Sequence, residues 1–276
     1  MSGPDIRLIA LDLDGTLLSP DHVTVSEANR AALRAAHSAG IAVAVATGRT
    51  LSILGDVCDQ VPQIGYILYS NGAGAANRLT GEVLYENALQ WPDAARLFDY
   101  FDRFPVFMEV YAGGVSYAQR DKERFFPFGI FPQAFVDEAR KGMTVCESFR
   151  DTLQGRPVEK FTVYTVDKAL YRAMWAELSA DGGFAVTSSF PVSIDVTKAG
   201  ADKGAALAGL CRALGLSVEQ SMAFGDAEND SPMLRRAGIG VAMGNAGDTC
   251  KAAADYVTKS NAEDGVARAL HELLGL

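Results

Sequence analysis

The sequence predicts an α/β fold, with a doubly wound parallel sheet as core and an α+β domain inserted into it. Three observations carry this. Short apolar, β-branched runs alternate with amphipathic stretches in the first third of the chain. That rhythm breaks after about residue 80, where aromatic and hairpin-like segments take over. It returns near residue 193 and holds to the C-terminus.

Each element follows from its local pattern. Residues 6–14 (IRLIALDLD) form an apolar run of strand length. Residues 26–40 have helical spacing, with Ser26 as N-cap and Gly40 as the stop. Residues 41–48 (IAVAVATG) are a second buried strand, 50–60 a helix and 66–73 (YILYSNGA) a third strand. Strand–helix–strand order with apolar strands implies a Rossmann-like parallel sheet covered on both faces. Residues 104–119 read as a hairpin around Gly113-Gly114. Residues 158–166, 168–178 and 184–190 read as strand, helix and strand. Then come a helix at 201–215, an apolar strand at 220–226, a short helix at 229–238 with Pro232 in its first turn, a strand at 239–244 and a closing helix. The expected partition is 1–82 and 187–276 for the core, with 83–186 as the insertion.

Composition narrows the function. The chain has 276 residues, 49% of them apolar, which is enough for two domains with a sizeable core. A net charge of −9, with no Lys/Arg run to line a basic groove, argues against a nucleic-acid partner. No apolar run reaches the ~18 residues of a membrane span, and no signal peptide is evident, so a cytoplasmic protein without membrane contact is expected. Cys58, Cys146, Cys211 and Cys250 lie far apart and form no CxxC pair, as reduced thiols would. His22, His37 and His271 sit outside every motif and are expected at the surface or in packing. Monomer and small homo-oligomer both remain open.

Three expected strand ends carry the same decoration. Asp12-Leu13-Asp14-Gly15-Thr16 follows the first. In an extended strand end, residues two apart point the same way, so Asp12 and Asp14 are expected to face one spot at the carboxyl edge of the sheet, where open α/β sheets bind ligands. Two adjacent acids repel and each resists burial, which a purely structural role leaves unexplained. An EF-hand loop is excluded, because its glycine belongs at position 6 and Gly15 stands at position 4. Thr47-Gly48-Arg49 ends the second strand; a hydroxyl and main-chain N–H groups there suit a phosphate oxygen or cap the next helix. Lys203 stands near a helix start. Gly225-Asp226-Ala227-Glu228-Asn229-Asp230 again places acids after an apolar strand, although a Gly/Asp/Asn-rich turn has the same composition.

In this order these four segments resemble the four motifs of the haloacid dehalogenase superfamily. Ser70-Asn71-Gly72-Ala73, Ser193-Ile194-Asp195-Val196, the stretch 241–246 (VAMGNA) and the stretch 261–267 (NAEDGVA) resemble its Cof-type (IIB) branch. The resemblance implies that Asp12 is the nucleophile, forming an aspartyl-phosphate. It implies that Asp14 protonates the leaving alcohol and then activates water. It places phosphoryl oxygens on Leu13, Thr47, Gly48, Lys203 and Asn229, and Mg²⁺ on the Asp12 and Asp226 carboxylates and the Asp14 main-chain carbonyl. Arg49, Asn71 and Asp230 are implied as supporting residues, with Asp230 orienting Lys203 or a metal-bound water.

Charge supports the metal separately. Asp12, Asp14, Asp226 and Asp230 would face a phosphate dianion with only Lys203 to offset them. Like charges at ~4 Å repel by about 4 kcal/mol at an effective dielectric near 20. A divalent cation relieves this, and all-oxygen ligands favour Mg²⁺ over zinc. The resemblance associates the second aspartate, Asp14, with phosphoryl transfer, where an alkoxide leaving group needs a proton and a halide does not.

Too few residues separate Asp14 from Thr47 for a lid. The insertion at 83–186 therefore resembles a C2-type cap, a lid that excludes water and sets specificity. Met108, Glu109, Tyr111 and Lys160 either reach the substrate or pack. The implied substrate is a small phosphorylated metabolite, a sugar phosphate or a phosphorylated cofactor. Phosphomutase activity of the phosphomannomutase type is the alternative. A non-catalytic phosphate-binding regulatory module is a third reading, and it would predict loss of Asp12, Asp14 or Lys203.

Overall fold

The computed structural model describes residues 5–51, 54–131, 136, 140, 142–188 and 192–276. Along the chain come β1 (Leu8–Leu11), β2 (Ala42–Ala46), β3 (Ile64–Tyr69), β4 (Gly74–Asn77) and β5 (Val83–Glu86). Then follow β6 (Phe107–Ala112), β7 (Val115–Gln119), β8 (Met143–Cys146), β9 (Lys160–Tyr164), β10 (Phe184–Thr187) and β11 (Ser193–Lys198). The chain ends with β12 (Ser221–Gly225), β13 (Ile239–Ala242) and β14 (Tyr256–Val257). Two compact units result: Met1–Arg49, Leu54–Glu86 and Asp202–Leu276 form the first, Thr50–Ile53 and Asn87–Ala201 the second.

The first unit is built on an eight-stranded sheet of order β14-β13-β12-β1-β2-β3-β4-β5. It is parallel from β14 to β3, and β4 and β5 add antiparallel. The strand order runs outward from β1 in both directions, which makes the carboxyl ends of β1, β2 and β12 the topological switch point. Alternation along β1 buries both faces. Leu8 and Ala10 pack with Ala206, Leu207 and Leu210 of the helix Lys203–Ala213, while Ile9 and Leu11 are buried on the other side. Asp202 caps that helix by accepting from Ala205 N at 2.7 Å, which fixes Lys203 in its first turn. The helix Glu27–Ser38 is capped by Ser26, as its sequence predicts. Its Asn29 accepts from Ala267 N of the C-terminal helix Gly265–Leu274 at 3.0 Å.

The second unit is a six-stranded sheet of order β10-β11-β9-β6-β7-β8, antiparallel except between β7 and β8. The Gly113-Gly114 hairpin forms as expected, both glycines at positive φ. One face of the sheet packs on the helices Trp91–Phe101, Phe149–Leu153 and Lys168–Ala180 around an aromatic centre. There Phe98 stacks on Phe149 at 5.5 Å and meets Phe161 edge-on at 5.0 Å.

The boundaries differ from the expected 82/83 and 186/187. β5 pairs with β4 and stays in the first unit, and β11 pairs with β9 and β10 in the second. The apolar alternation of β11 matches a strand of either sheet, so sequence pattern alone assigns it to the wrong one. The first strand ends at Leu11, short of the expected 14, because the chain turns sharply at 13–17 with Gly15 at φ +85°. Parts of the expected helix at 50–60 and strand at 184–190 lie outside the described residues.

Candidate active site

Asp12 follows β1 directly, and its N–H donates to Phe224 O of β12 at 3.0 Å. Its side chain is buried beside Lys203, whose Nζ donates to Asp12 Oδ1 at 2.5 Å and to Asp230 Oδ1 at 2.6 Å. The other Asp230 oxygen accepts from the main-chain N–H groups of Asp226 and Ala227, each at 3.0 Å. The β12 loop is thereby folded around a carboxylate. A Cβ on Gly225 would lie 2.3 Å from Asp230 Cβ, so only glycine lets the loop close this tightly. Asp226 Oδ1 accepts from Thr16 Oγ1 at 2.9 Å.

Carboxylate oxygens of Asp12, Asp226 and Asp230 lie within 4.8 Å of one another. Burial, with the charge of Asp230, pushes the Asp12 carboxyl well above the usual range, against the opposing pull of Lys203. Burial and Asp230 likewise raise Asp226, to about 6. Burial works against the Lys203 ammonium, but Asp12 and Asp230 outweigh it and hold the lysine charged. The cluster thus has more negative charge than its lysine neutralises.

A second group surrounds Thr47, which is buried at the end of β2. Thr47 Oγ1 accepts from Arg49 N at 3.1 Å, and Thr47 O accepts from Asn71 N at 3.0 Å. Asn229 Nδ2 donates to Asn71 Oδ1 at 3.2 Å, and a Cβ on Gly48 would come within 2.9 Å of that same oxygen. Ser70 and Asn71 both have left-handed backbones, at φ 52° and 57°. Consecutive non-glycine residues in that region are strained, and such strain concentrates at functional sites. Leu13 is fully buried in the turn after β1.

The Asp14 carboxylate is not among the three that cluster at Asp12, contrary to the expectation that an extended strand end brings both to one spot. The turn after Leu11 breaks the extended geometry on which that expectation rests. The Asp14 carboxylate is held by Arg49, with Nε to Oδ2 at 3.0 Å and Nη2 to Oδ1 at 2.6 Å. His22 Nδ1 lies 3.2 Å from Asp14 Oδ1. Sequence reasoning missed His22, because nothing in its local pattern links a loop histidine to an acid eight residues earlier. His37 and His271 are exposed, and all four cysteines are buried and free. Met108 packs in the aromatic core of the second unit, whereas Glu109, Tyr111 and Lys160 lie on the opposite face of that sheet.

Comparison with known proteins matches this arrangement to one family. The family model described as haloacid dehalogenase-like hydrolase matches residues 9–270. The chain belongs to that family. This haloacid dehalogenase-like hydrolase is 32% identical over 270 residues to 5-amino-6-(5-phospho-D-ribitylamino)uracil phosphatase YcsE of Bacillus subtilis, covering 96% of this chain and 95% of that protein. It is 28% identical to pyridoxal phosphate phosphatase YbhA of Escherichia coli, covering 97% and 98%. Among solved structures, a haloacid dehalogenase-like hydrolase from Bacteroides thetaiotaomicron superposes with a TM-score of 0.82 at 29% identity, covering 97% and 99%. The subclass IIB sugar phosphatase BT4131 gives a TM-score of 0.79 at 27% identity, covering 98% and 99%. The expected IIB membership and α/β core agree with these matches.

Proposed function

We propose that the protein is a Mg²⁺-dependent phosphomonoester hydrolase that acts on a small phosphorylated metabolite through an aspartyl-phosphate on Asp12. The observation that carries this reading is the buried Asp12–Lys203–Asp230 chain beside Asp226. Relatives named for a ribityl phosphate, pyridoxal phosphate and sugar phosphates support the substrate class.

The residues divide the work as follows. Asp12 attacks phosphorus as the bond to the leaving oxygen breaks, and Asp14 supplies that oxygen with a proton. Water then attacks the aspartyl-phosphate, giving its proton to Asp14 and returning Asp12 as a free carboxylate. Lys203, Thr47, Asn229 and the main-chain N–H groups of Leu13 and Gly48 hold the phosphoryl oxygens. Asp230 keeps Lys203 directed at the nucleophile. Arg49 and Asn71 support Asp14 and Asn229 respectively.

The donor set fits a hard divalent cation. Three hard carboxylates lie close together, and burial, with the charge of Asp230, drives two of them toward their neutral forms. Hard oxygen donors suit Mg²⁺, which would be held by the Asp12 and Asp226 carboxylates and the Asp14 carbonyl and would displace the protons that burial favours. Bound there, the ion offsets the charge of the cluster and of the transferring phosphoryl group. We assign the second unit the role of a C2-type cap that sets specificity.

The test is phosphate release from p-nitrophenyl phosphate and a sugar-phosphate panel, with Mg²⁺ and with EDTA. Release that needs Mg²⁺ and disappears in Asp12→Asn supports the reading. Phosphate migration without release points to a mutase, and a folded protein inert to every compound sinks the hydrolase assignment.

A further inference from the structure

His22 is the group at this site that neither the motifs nor the proposed chemistry employs. It sits on the loop after the β1 turn, and the loop is tightly constructed. Ser19 N donates to Thr24 O at 2.8 Å and His22 N to Ser19 O at 2.9 Å. Asp21 Oδ1 accepts from Val23 N and Thr24 N, each at 2.9 Å. Asn261 Nδ2 ties the base of the loop by donating to Leu18 O at 2.9 Å. At the tip, His22 adopts φ 60°, a conformation that costs a residue with a Cβ on the order of 1 kcal/mol. Glycine would sit there without strain.

Two further facts bear on why a histidine stands there. The Asp14 carboxylate is 44% exposed and His22 64%, so their contact is too wet to matter for stability. The same holds for much of the Arg49–Asp14 pair. Yet together Arg49 and His22 bring three nitrogens to two oxygens, restraining a side chain that would otherwise sample several rotamers. An acid that must meet a leaving oxygen within hydrogen-bond reach gains directly from such restraint.

We propose that His22 is a positioning residue, which with Arg49 holds the Asp14 carboxylate in place for proton transfer to the leaving group. This rests on the role given to Asp14 above. It predicts an effect that grows with the leaving group's need for a proton. Phenyl phosphate and p-nitrophenyl phosphate differ little in shape, but phenolate needs that proton far more.

The experiment measures kcat and KM on both esters for wild type, His22→Gly and His22→Asn. Glycine satisfies the φ 60° backbone and removes the ring; asparagine tolerates that backbone and places Nδ2 where Nδ1 stood. The expected result, read in kcat/KM because that ratio reports departure of the leaving group and not the hydrolysis step both esters share, is a roughly tenfold fall on phenyl phosphate in His22→Gly, a small part of what a general acid contributes, with p-nitrophenyl phosphate changed about twofold or less. His22→Asn should recover most of the loss. Glycine and asparagine variants that both match wild type, or that both lose the two esters equally, overturn the proposal. Asp14→Asn run alongside separates the two levels. If it lacks the leaving-group dependence, the acid role fails and this proposal with it; if it shows the dependence and His22→Gly does not, only the positioning role fails.

Discussion

The parallel strands of the eight-stranded sheet carry no charged residue and gather charge beyond their carboxyl ends, whereas the six-stranded sheet carries charge inside its strands. Asp12, Asp226, Asp230 and Lys203 all come from a loop after a buried strand or from the first turn of a helix. Glu109, Lys160 and Asp195 lie within β6, β9 and β11. Glu109 and Asp195 both register with Thr162, which donates to Asp195 Oδ1 at 2.8 Å. The first arrangement lets loops close around a charge and supply main-chain N–H groups. The second must satisfy each charge from neighbouring strands, as Ser116 Oγ does by donating to Glu109 Oε1 at 2.5 Å. Charge at a strand end is therefore available for chemistry, while charge in mid-strand is largely committed to the sheet.

Lys203→Met tests the first half of this comparison and should have the largest effect. The lysine is 1% exposed and joins two buried carboxylates. Breaking such a pair should cost about 3–5 kcal/mol, since the remaining charge keeps its desolvation penalty. Phosphatase activity should fall to background as well. Urea unfolding of the metal-free protein measures the first, phosphate release the second. A variant as stable as wild type would mean that the two acids simply take up protons.

Phe98→Ala tests whether the two units carry separate stability. Phe98 is fully buried among Phe149 and Phe161, and truncation should cost about 3–5 kcal/mol. Amide hydrogen exchange should show lost protection in β6, β9 and β11 with β1 and β12 little changed. Equal loss in both sheets would show one cooperative unit instead.

The same contrast explains how much was legible in the sequence. Asp12, Asp226 and Asp230 were readable because an acid after an apolar strand has no packing use, and two strand ends, those of β1 and β12, repeat the pattern. Lys203 was readable only in their company. The second sheet's polar face was not readable, because Glu109 in FMEV or Lys160 in EKFT looks like the outer side of any half-buried strand. β11 was placed in the wrong unit for the same reason: a period of two reports burial and not partner. The pairing of His22 and Arg49 with Asp14 depends on a turn and a left-handed residue, and neither leaves a periodic trace.

Glu109→Gln tests the second half of the comparison and should have the smallest effect. Burial raises the Glu109 carboxyl above its ordinary value, against the Ser116 hydrogen bond and the charge of Lys160, and Asp195 adds to the rise. Lys160 is itself directed over the Tyr111 ring, 4.3 Å from its centroid. The sign follows from proton counting. Between the unfolded carboxyl value near 4.5 and the higher folded one, the folded chain binds more protons than the unfolded chain. Stability should therefore decline as pH rises through that window, and below it the group should make no difference. Glutamine keeps an oxygen to accept from Ser116 and has no charge to bury. The urea midpoints of wild type and Glu109→Gln should coincide at about pH 4, with the variant the more stable at about pH 7. If wild type instead gains on the variant as pH rises, Lys160 outweighs burial, and Glu109 is an ion-pair partner rather than a carboxyl the sheet carries at a cost.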